Sequence, residues 1–320
     1  MRRRILLALL VFALAVAGCG SSAAPESVSV SPAEPMPSGA TAVTAAPPAG
    51  DANCDREASL RPGPLPSPGQ MPPGSTMAAI AERGRLIAGV DQNTDFFGSR
   101  NPATGQLEGF DIDIARQIAL AIFGDPDRIQ LRVVNAKERE SVLQNGEVDV
   151  VVRTYSITCA RKKLVDFSAV YYYADQKILS AKGSGIDSAA ALAGKRVCAV
   201  SGTTSLAKLF QVESRPQVFS ATAWTDCLVM LQQGQVDAIS TDDSVLKGLA
   251  AQDPTLDVSG ESIAKEPYGI GVNADHDDLV RFVNGVLEKI RRDGTWQRLY
   301  DRWLEKLGPS PGPPEPRYGD

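Results

Sequence analysis

The chain has 320 residues, with 33 lysines and arginines against 38 aspartates and glutamates, which gives a net charge of −5 at pH 7. This acidic balance argues against a basic surface for nucleic acid, so nucleic-acid binding is not predicted. The length allows two lobes of ordinary size in addition to unpacked segments.

The amino-terminal end has the pattern of a bacterial lipoprotein signal. Three arginines precede an apolar run at 5–17 that is too short to cross a membrane. The sequence VAGC at 16–19 resembles a lipobox, in which the chain is cut before the cysteine and the cysteine receives a diacylglycerol. We predict a signal peptide at 1–18 and a lipidated Cys19, with palmitate, at the outer face of the cytoplasmic membrane. The alternative is an ordinary secretory signal with a cysteine there by chance. Removal of 1–18 would leave 30 basic against 38 acidic residues, a net charge of about −8.

Two segments flank the predicted folded part. Residues 19–76 are rich in Pro, Ser, Ala and Gly and have few large apolar side chains. Such a segment does not bury enough surface to offset its ordering entropy, so we predict a semi-extended tether. The tail at 309–320 has a similar composition and is also predicted to be unpacked. Roughly 230 residues lie between them, enough for two lobes.

Four cysteines follow the lipobox: Cys54, Cys159, Cys198 and Cys227. An even number in an exported chain predicts two disulfides. The chain has no CxxC pair and no cysteine–histidine cluster, so neither a metal nor a cofactor is predicted. A Ser-His-Asp or Cys-His mechanism would have to use the single histidine, His276, and nothing near it supports such chemistry.

Strand and helix patterns alternate along the folded part. Short apolar runs at 85–91 and 196–202 predict strands that each open a lobe, and 128–134 alternates apolar and polar residues as a strand does. Segment 110–124 has an apolar stripe of helical period, with Asp111 as the expected N-cap. This alternation predicts an α/β fold with mostly parallel sheets.

A near-repeat shows where a ligand would bind. Residues 142–154 (VLQNGEVDVVVRT) match 230–242 (MLQQGQVDAISTD), and both run from a helix end through glycine into a short apolar strand. The strands end in polar residues, Arg153 in one and Asp242 in the other, and Arg161 follows the first after a short turn. Either this is a solvated loop or it is a site that holds an anion. Ligands of open α/β sheets bind at the carboxyl ends of the strands, and two facing lobes form a cleft there.

The motifs, in their order, resemble those of the bacterial extracellular solute-binding proteins of family 3, the polar amino-acid family. The resemblance covers roughly residues 77–307 and rests on GFDIDIARQIA, NGEVDVVV followed by SITCARKKLVDFS, LAGKRVCAVSGTTS, GQVDAISTDD, EPYGIGV and DGTWQRLYDRWL. Within the family the chain most resembles the glutamate- and glutamine-type binding lipoproteins of actinobacteria. The resemblance implies a two-lobed, type II periplasmic-binding-protein-like fold with a hinge of two crossover strands.

The same resemblance implies how the lobes are divided along the chain. Lobe 1 would consist of 77–180 and 267–308, and lobe 2 of the inserted 181–266. The crossovers would lie near 178–183 and 264–271.

The resemblance also assigns residues to the amino-acid backbone. In the family motif T-I-T-x-x-R the arginine binds the ligand α-carboxylate, and here it is Arg161, with Thr154 and Ser156 as further donors. A guanidinium suits this role because it pairs bidentately with a carboxylate and stays charged. Thr203 and Thr204 would offer backbone N–H groups to the same carboxylate from lobe 2.

The α-ammonium is assigned to an aspartate, and two arginines are candidates for the ligand side chain. Asp242 matches the family aspartate, whereas the adjacent Asp243 could be an N-cap instead. Arg139 falls where acidic amino-acid binders carry the arginine of an R-I-P-x-L motif, although Ile-Pro is replaced here. Arg153 either points at the ligand side chain or turns outward. If both arginines face the cleft, two further positive charges favour glutamate or aspartate, with the amides tolerated.

Aromatic residues are less firmly placed. Trp224 is expected either to wall the cleft or to pack in the core. Phe96 and Phe97 lie in the loop where the family often has an aromatic lid, and Phe97 is the candidate.

The lobe assignment suggests the disulfide pairing. Cys198 on the first strand of lobe 2 would pair with Cys227 on a helix of the same lobe. By elimination, Cys54 would pair with Cys159, although Cys54 lies outside the matched region.

These residues favour a non-enzymatic, monomeric receptor that delivers a polar amino acid to an ABC permease. Two alternatives remain open. The binder could report the amino acid to a transmembrane sensor, or it could be an enzyme, since this fold has been recruited for dehydratase and glycan-cleaving activities. The binding residues match the first two functions equally, and the chain has no appended catalytic domain.

Overall fold

The computed structural model describes residues 35–47 and 54–319 of the chain. The predicted signal peptide and Cys19 lie outside these residues. Within the described ranges, no helix combines the length and the apolar character that a membrane crossing requires.

The α-helices of the described residues are α1 (Thr76–Arg83), α2 (Phe110–Phe123), α3 (Arg139–Gln144), α4 (Thr204–Leu209), α5 (Trp224–Gln232), α6 (Asp243–Gln252), α7 (Asp277–Arg292) and α8 (Thr295–Trp303). Short 3₁₀ helices cover Ala136–Glu138, Arg161–Lys163, Ala190–Leu192 and Glu305–Leu307. The strands are β1 (Thr41–Val43), β2 (Ala58–Ser59), β3 (Leu86–Val90), β4 (Asn93–Thr94), β5 (Gly98–Arg100), β6 (Leu107–Glu108), β7 (Ile129–Val133), β8 (Val150–Val151), β9 (Asp166–Phe167), β10 (Tyr172–Ala181), β11 (Arg196–Val200), β12 (Gln217–Ala221), β13 (Ala238–Asp242), β14 (Leu256–Tyr268), β15 (Gly271–Val272) and β16 (Arg317–Tyr318).

One five-stranded sheet organises the part of the body that we call lobe 1. Its strand order is β7-β3-β8-β15-β9, with β3 parallel to β7 and β8, and β15 antiparallel to its two neighbours. Residues of α1, α2, α7 and α8 contribute to the apolar core on this sheet. The predicted parallel α/β arrangement is present, with an antiparallel strand contributed late in the chain.

A six-stranded sheet organises lobe 2. Its order is β1-β12-β11-β13-β10-β14, and β11 runs parallel to β12 and β13. Strand β11 carries Cys198, which is disulfide-bonded to Cys227 on α5. Both cysteines are buried in the lobe 2 core, so this predicted pairing is confirmed.

Helix α2 begins differently from the expectation. Its N-cap is Gly109, with φ of 136°, and Asp111 lies inside the first turn. A Cβ on Gly109 would lie 2.3 Å from the carbonyl oxygen of Phe97, so only glycine allows this approach. Asp111 is therefore not an N-cap; its buried carboxylate has another role, described below.

The two lobes are joined by β10 and β14, which pair with each other in antiparallel fashion. On β10, Tyr172 and Ala174 belong to the core of lobe 1, whereas Ile178 and Leu179 belong to the core of lobe 2. The change of lobe thus falls between residues 174 and 178, slightly before the predicted crossover at 178–183.

The return strand changes lobe in the same way. On β14, Leu256 packs in the core of lobe 2 and Tyr268 in the core of lobe 1. The predicted second crossover, 264–271, overlaps the end of this strand. A register irregularity opposite Gln176 and Ile178 interrupts the pairing of β10 with β14 between the two cores.

The expectation of an unpacked tether is wrong for its described residues. Strand β1 adds to the outer edge of the lobe 2 sheet by pairing with β12, and Val43 contacts the lobe 2 core. Farther along, Leu60, Leu65 and Met71 pack on the core of lobe 1. A few apolar residues in an otherwise small and polar segment bury enough surface, together with backbone hydrogen bonds, to hold it in place.

The tail is also packed, contrary to the expectation. Strand β16 pairs with β2, and Tyr318 donates to Glu288 Oε1 at 2.9 Å. Arg317 forms an ion pair with Asp55 at 2.8 Å. The predicted disulfide between Cys54 and Cys159 is present, so the amino-terminal segment, the tail and lobe 1 are joined together.

Candidate functional site

A small cavity lies between the lobes, next to the polar ends of β8 and β13. It measures about 10 Å³, room for a single water molecule. The sequence-predicted residues that line it are Arg139, Arg153, Thr154, Ser156, Thr203, Thr204, Trp224 and Asp242. The structure therefore brings most of the predicted site together from both lobes.

Two arginines of lobe 1 meet at one carbonyl oxygen of lobe 2. Arg139 Nη2 donates to Gly202 O at 3.0 Å, and Arg161 Nη2 donates to the same oxygen at 2.9 Å. Both guanidinium groups also lie near the ring of Tyr155, at 4.3 Å and 4.9 Å from its centroid. The two cations are thus held side by side against lobe 2.

Gly202 fits this contact because it has no side chain. Its φ is 77°, in the left-handed region, and a Cβ there would lie 2.6 Å from Lys137 Cα. The backbone of lobe 2 can approach the 3₁₀ helix of lobe 1 this closely only at a glycine.

Arg139 is a buried cation without an ion pair in the described part of the chain. It is 2% exposed, and its Nε donates to Ala136 O at 2.8 Å. Burial, and then the neighbouring charge of Arg161, lower the pKa of the Arg139 guanidinium to about 9. The site therefore holds a positive charge that its hydrogen-bonded carbonyls only partly compensate.

Arg153 points inward and is already paired. Its Nη2 lies 3.1 Å from Asp91 Oδ2, and both side chains are almost fully buried. Arg153 Nε is buried without a hydrogen-bond partner. Of the up to two further positive charges expected here, Asp91 balances that of Arg153, and the charge of Arg139 remains.

Arg161 lies beside the small cavity and does not line it. Its Nε pairs with Glu140 Oε1 at 3.1 Å, and its Nη1 donates to Ser156 O at 2.6 Å. It instead faces a wider pocket of about 760 Å³ that Thr203 and Thr204 also line. Like the small cavity, this wider pocket is lined by residues of both lobes.

Asp242 carries an unused acceptor. Tyr268 donates to its Oδ2, while Oδ1 is buried without a partner. Burial, and then the nearby Glu266, raise the pKa of the Asp242 carboxyl well above its usual range. Asp243 is the first residue of α6 and accepts from the backbone N–H of Asp175 at 3.2 Å, so the two aspartates have separate roles.

The four hydroxyl residues lie at the rim of the cavity. Thr203 is the N-cap of α4 and accepts from Leu206 N at 3.1 Å. Thr204 donates to Glu266 Oε2, on the crossover strand β14, at 2.8 Å. Ser156 Oγ and Thr154 Oγ1 have no hydrogen-bond partner within the described residues, so both hydroxyls are available to a ligand.

The two aromatic candidates differ in their placement. Trp224 is 4% exposed and does both things expected of it, lining the cavity and packing in the lobe 2 core. Phe97 is fully buried, with edge-to-face contacts to the rings of Phe110, Tyr172 and Tyr268. Phe97 is therefore part of the core, and its interpretation as a lid is wrong. Phe97 lies in the expected loop, but its ring turns inward.

Beneath the cavity, Asp111 holds two elements together. Its Oδ2 accepts from Thr154 N at 2.8 Å, and its Oδ1 accepts from the Tyr171 hydroxyl at 2.7 Å. Thr154 has φ of 37°, so this contact fixes a residue in an uncommon backbone conformation. Burial is the main reason that the pKa of Asp111 rises to about 7.

Sequence reasoning missed Asp91, Glu140, Glu266 and Gly202. Asp91 had a detectable signal, because it is the last residue of the first predicted strand, 85–91, and so lies at the same sheet edge as Arg153. Glu140 and Glu266 had none, since their roles depend on contacts across the fold. The described residues contain no cluster of three or more His, Cys, Asp or Glu side chains that could hold a metal ion.

Comparisons with known proteins agree with this architecture. The family described as bacterial extracellular solute-binding proteins, family 3, matches residues 86–306. The ABC transporter glutamine-binding protein GlnH of Bacillus subtilis strain 168 is 39% identical over 232 residues, covering 72% of this chain and 85% of that protein. The glutamate-binding protein GluB of Corynebacterium glutamicum is 32% identical over 247 residues, covering 73% and 82%.

Solved structures give the same result for the fold. An ancestral arginine-binding protein bound to glutamine is 33% identical, with a TM-score of 0.65, covering 69% of this chain and 98% of that one. The expected two-lobed, type II periplasmic-binding-protein fold is confirmed.

The raised pKa of Asp111 gives a prediction for stability against pH. An unfolded aspartate has a pKa of about 3.9, so the folded protein binds a proton more tightly, and Asp111 makes stability rise as pH falls from about 7 toward 4. In Asp111→Asn this contribution is absent. We expect the free energy of unfolding of the parent protein, relative to Asp111→Asn, to increase by up to about 1.4 kcal/mol per pH unit between pH 7 and 5.

Urea unfolding at a series of pH values measures this difference. Asp257→Asn, which removes an exposed carboxylate of lobe 2, is the matched control. A difference between parent and Asp111→Asn that stays constant from pH 8 to 5 would contradict the assignment.

Proposed function

Since the chain belongs to family 3 of the bacterial extracellular solute-binding proteins, we propose that it binds a polar amino acid between its lobes and delivers it to an ABC importer. Glutamate, aspartate and their amides are the favoured ligands. The observation that carries the proposal is the convergence of Arg139 and Arg161 on Gly202 O. The carboxylate oxygens of a ligand offer each of these guanidinium groups the same kind of acceptor, with a stronger charge-assisted bond.

The lobes must move apart for this exchange. A cavity of about 10 Å³ does not admit an amino acid, so the ligand enters while the lobes are separated. Arg139 and Arg161 lose Gly202 O when lobe 2 moves away, and their Nη2 donors become available. The interrupted pairing of β10 with β14 provides the place where the two crossover strands can bend.

Asp242 supports the assignment of the α-ammonium. Its Oδ1 is buried, has no partner and faces the cavity. A buried carboxylate with a raised pKa gains an ion pair when an ammonium approaches, and leaving it unpaired is unfavourable. Thr154 and Ser156 add hydroxyl groups on the lobe 1 side, and Thr203 and Thr204 lie opposite on lobe 2.

Charge balance supports a second oxygen group on the ligand. Asp91 and Glu140 already pair with Arg153 and Arg161, so Arg139 is the guanidinium that lacks a carboxylate in the described residues. With Arg161 on the α-carboxylate, Arg139 can take a side-chain carboxylate or an amide carbonyl oxygen. A carboxylate gains more from a buried guanidinium than an amide does.

The related proteins are named for binding, and we propose a receptor without catalytic turnover. GlnH is named as a glutamine-binding and GluB as a glutamate-binding protein, which supports the same acid and amide pair here. The proposed form is a monomer anchored by a lipid on Cys19. A binder of this kind could also serve a transmembrane sensor.

The proposal predicts both selective binding and compaction. Calorimetry against the twenty amino acids should give the highest affinities for glutamate, aspartate, glutamine and asparagine. Small-angle scattering should show a smaller radius of gyration with saturating ligand than without, because ligand bridges the two lobes. Tight binding of leucine or lysine, or identical scattering profiles, would count against it.

Two arginine substitutions should distinguish binding of the ligand α-carboxylate from binding of the ligand side-chain carboxylate. Arg161→Ala should weaken every amino acid by roughly 2–5 kcal/mol, because the α-carboxylate is common to all of them. Arg139→Ala should weaken glutamate and aspartate far more than glutamine. Arg85→Ala, an exposed arginine of lobe 1, is the matched control and should bind as the parent does.

Calorimetry with glutamate and glutamine gives the comparison, and circular dichroism confirms that each variant is folded. Equal losses of the acid and the amide in Arg139→Ala would refute its role at the side chain.

The anchor is tested separately from ligand binding. Cys19→Ala should abolish labelling by radioactive palmitate and leave the protein either unprocessed or released. The parent protein expressed in the same cells is the control. Palmitate labelling of the variant equal to that of the parent would show that Cys19 is not the lipidated residue.

A further inference from the structure

A second pocket lies at the hinge, apart from the site described above. It measures about 560 Å³, within the range of small-molecule sites. Its walls come from β10, from α6 of lobe 2, from α8 of lobe 1 and from the tail. Its aromatic and acidic lining residues include Tyr172, Tyr173, Asp175, Asp243, Trp296 and Tyr300.

Four aromatic side chains are among the residues that line the pocket. Trp296 and Tyr300 stack on each other with centroids 5.4 Å apart, and Tyr172 and Tyr173 contribute from the hinge strand. The ammonium of Lys265 lies 6.0 Å from the centroid of the Tyr173 ring. A cation is therefore already attracted to one of these faces.

Three carboxylates on the pocket wall lack an ion pair in the described part of the chain: Asp175, Asp243 and Glu315. Asp175 accepts from the Ser262 hydroxyl, and Asp243 accepts from a backbone N–H. The ammonium of Lys247, on the same wall, donates to a backbone carbonyl, Leu307 O. With two lysines against three carboxylates, the pocket has one negative charge more than positive charges.

The Tyr172 side chain provides an independent sign of a ligand. Tyr172 is 8% exposed, and its hydroxyl has no hydrogen-bond partner within residues 35–47 and 54–319. Burial, and then the charge of Asp243, raise the pKa of this hydroxyl, so it remains neutral and can both donate and accept. The Tyr172 hydroxyl therefore offers a hydrogen-bonding position to a ligand in the pocket.

We propose that the hinge pocket is a second ligand site that takes a small organic cation, with the ammonium against the aromatic rings and a polar group on the Tyr172 hydroxyl. Aromatic faces and carboxylates attract the same charge, and the excess of one carboxylate matches a single positive charge. The inference is independent of the amino-acid site, because the two share no lining residue.

Choline is the probe, since it combines a quaternary ammonium with one hydroxyl. With the complete mature chain, choline should raise the melting temperature and give a saturable calorimetric isotherm. Its neutral isostere 3,3-dimethyl-1-butanol should do neither, because it fills the same volume without the charge. Equal binding of the two compounds, or no saturation by choline in the millimolar range, would overturn the proposal.

Variants locate the site. Tyr172→Phe and Asp175→Asn should each weaken choline binding by about fivefold or more, in line with a loss of about 1 kcal/mol from a partly buried cation contact. Asp301→Asn, a carboxylate of α8 outside the pocket, is the matched control. The second variant keeps the test decisive if Tyr172→Phe fails to fold. Choline binding unchanged in both folded variants would place the cation elsewhere and refute the inference.

Discussion

Two guanidinium groups on one carbonyl oxygen are the contact on which the closed arrangement of the lobes depends. Gly202 O accepts from both Arg139 and Arg161, and the glycine itself leaves no room for a side chain beside Lys137. Charged donors make strong hydrogen bonds, yet a neutral carbonyl leaves their charge uncompensated. The same contact therefore holds the lobes together, and its uncompensated positive charge favours replacement of the carbonyl oxygen by an anion.

Around this contact, each buried charge is compensated to a different degree. Arg153 has Asp91, and Arg161 has Glu140, whereas Arg139 and Asp242 lack an ion pair in the described residues. Burying an unpaired charge is unfavourable. This is why burial lowers the pKa of Arg139 and raises the pKa of Asp242. A ligand that brings an ammonium group to Asp242 and a side-chain oxygen acceptor to Arg139 would offset both at once, so the cavity is suited to such a ligand by its own imbalance.

The predictability of each feature from sequence depends on how local its cause is. The repeated helix-glycine-strand unit placed Arg153 and Asp242 at the correct sheet edges, because strand ends follow from local patterns. The partner of Arg153 was missed, since Asp91 comes from a strand far away in the chain. The prediction that Phe97 is a lid was wrong for a similar reason. Its loop was identified, but the direction of its ring depends on contacts with Phe110 and Tyr268. The prediction of an unpacked tether was wrong because an average composition does not reveal a few well-placed apolar residues such as Val43.

The order of attachments along the amino-terminal segment has a mechanical consequence. Tension applied to the chain ahead of Met36 would first reach β1, a three-residue strand at the outer edge of the lobe 2 sheet. Peeling it away breaks a few backbone hydrogen bonds. The next attachment is a covalent one, at Cys54 to Cys159 of lobe 1. A sustained pull would therefore be held by lobe 1, while lobe 2, which the chain joins to lobe 1 through β10 and β14, would carry no load and remain able to turn.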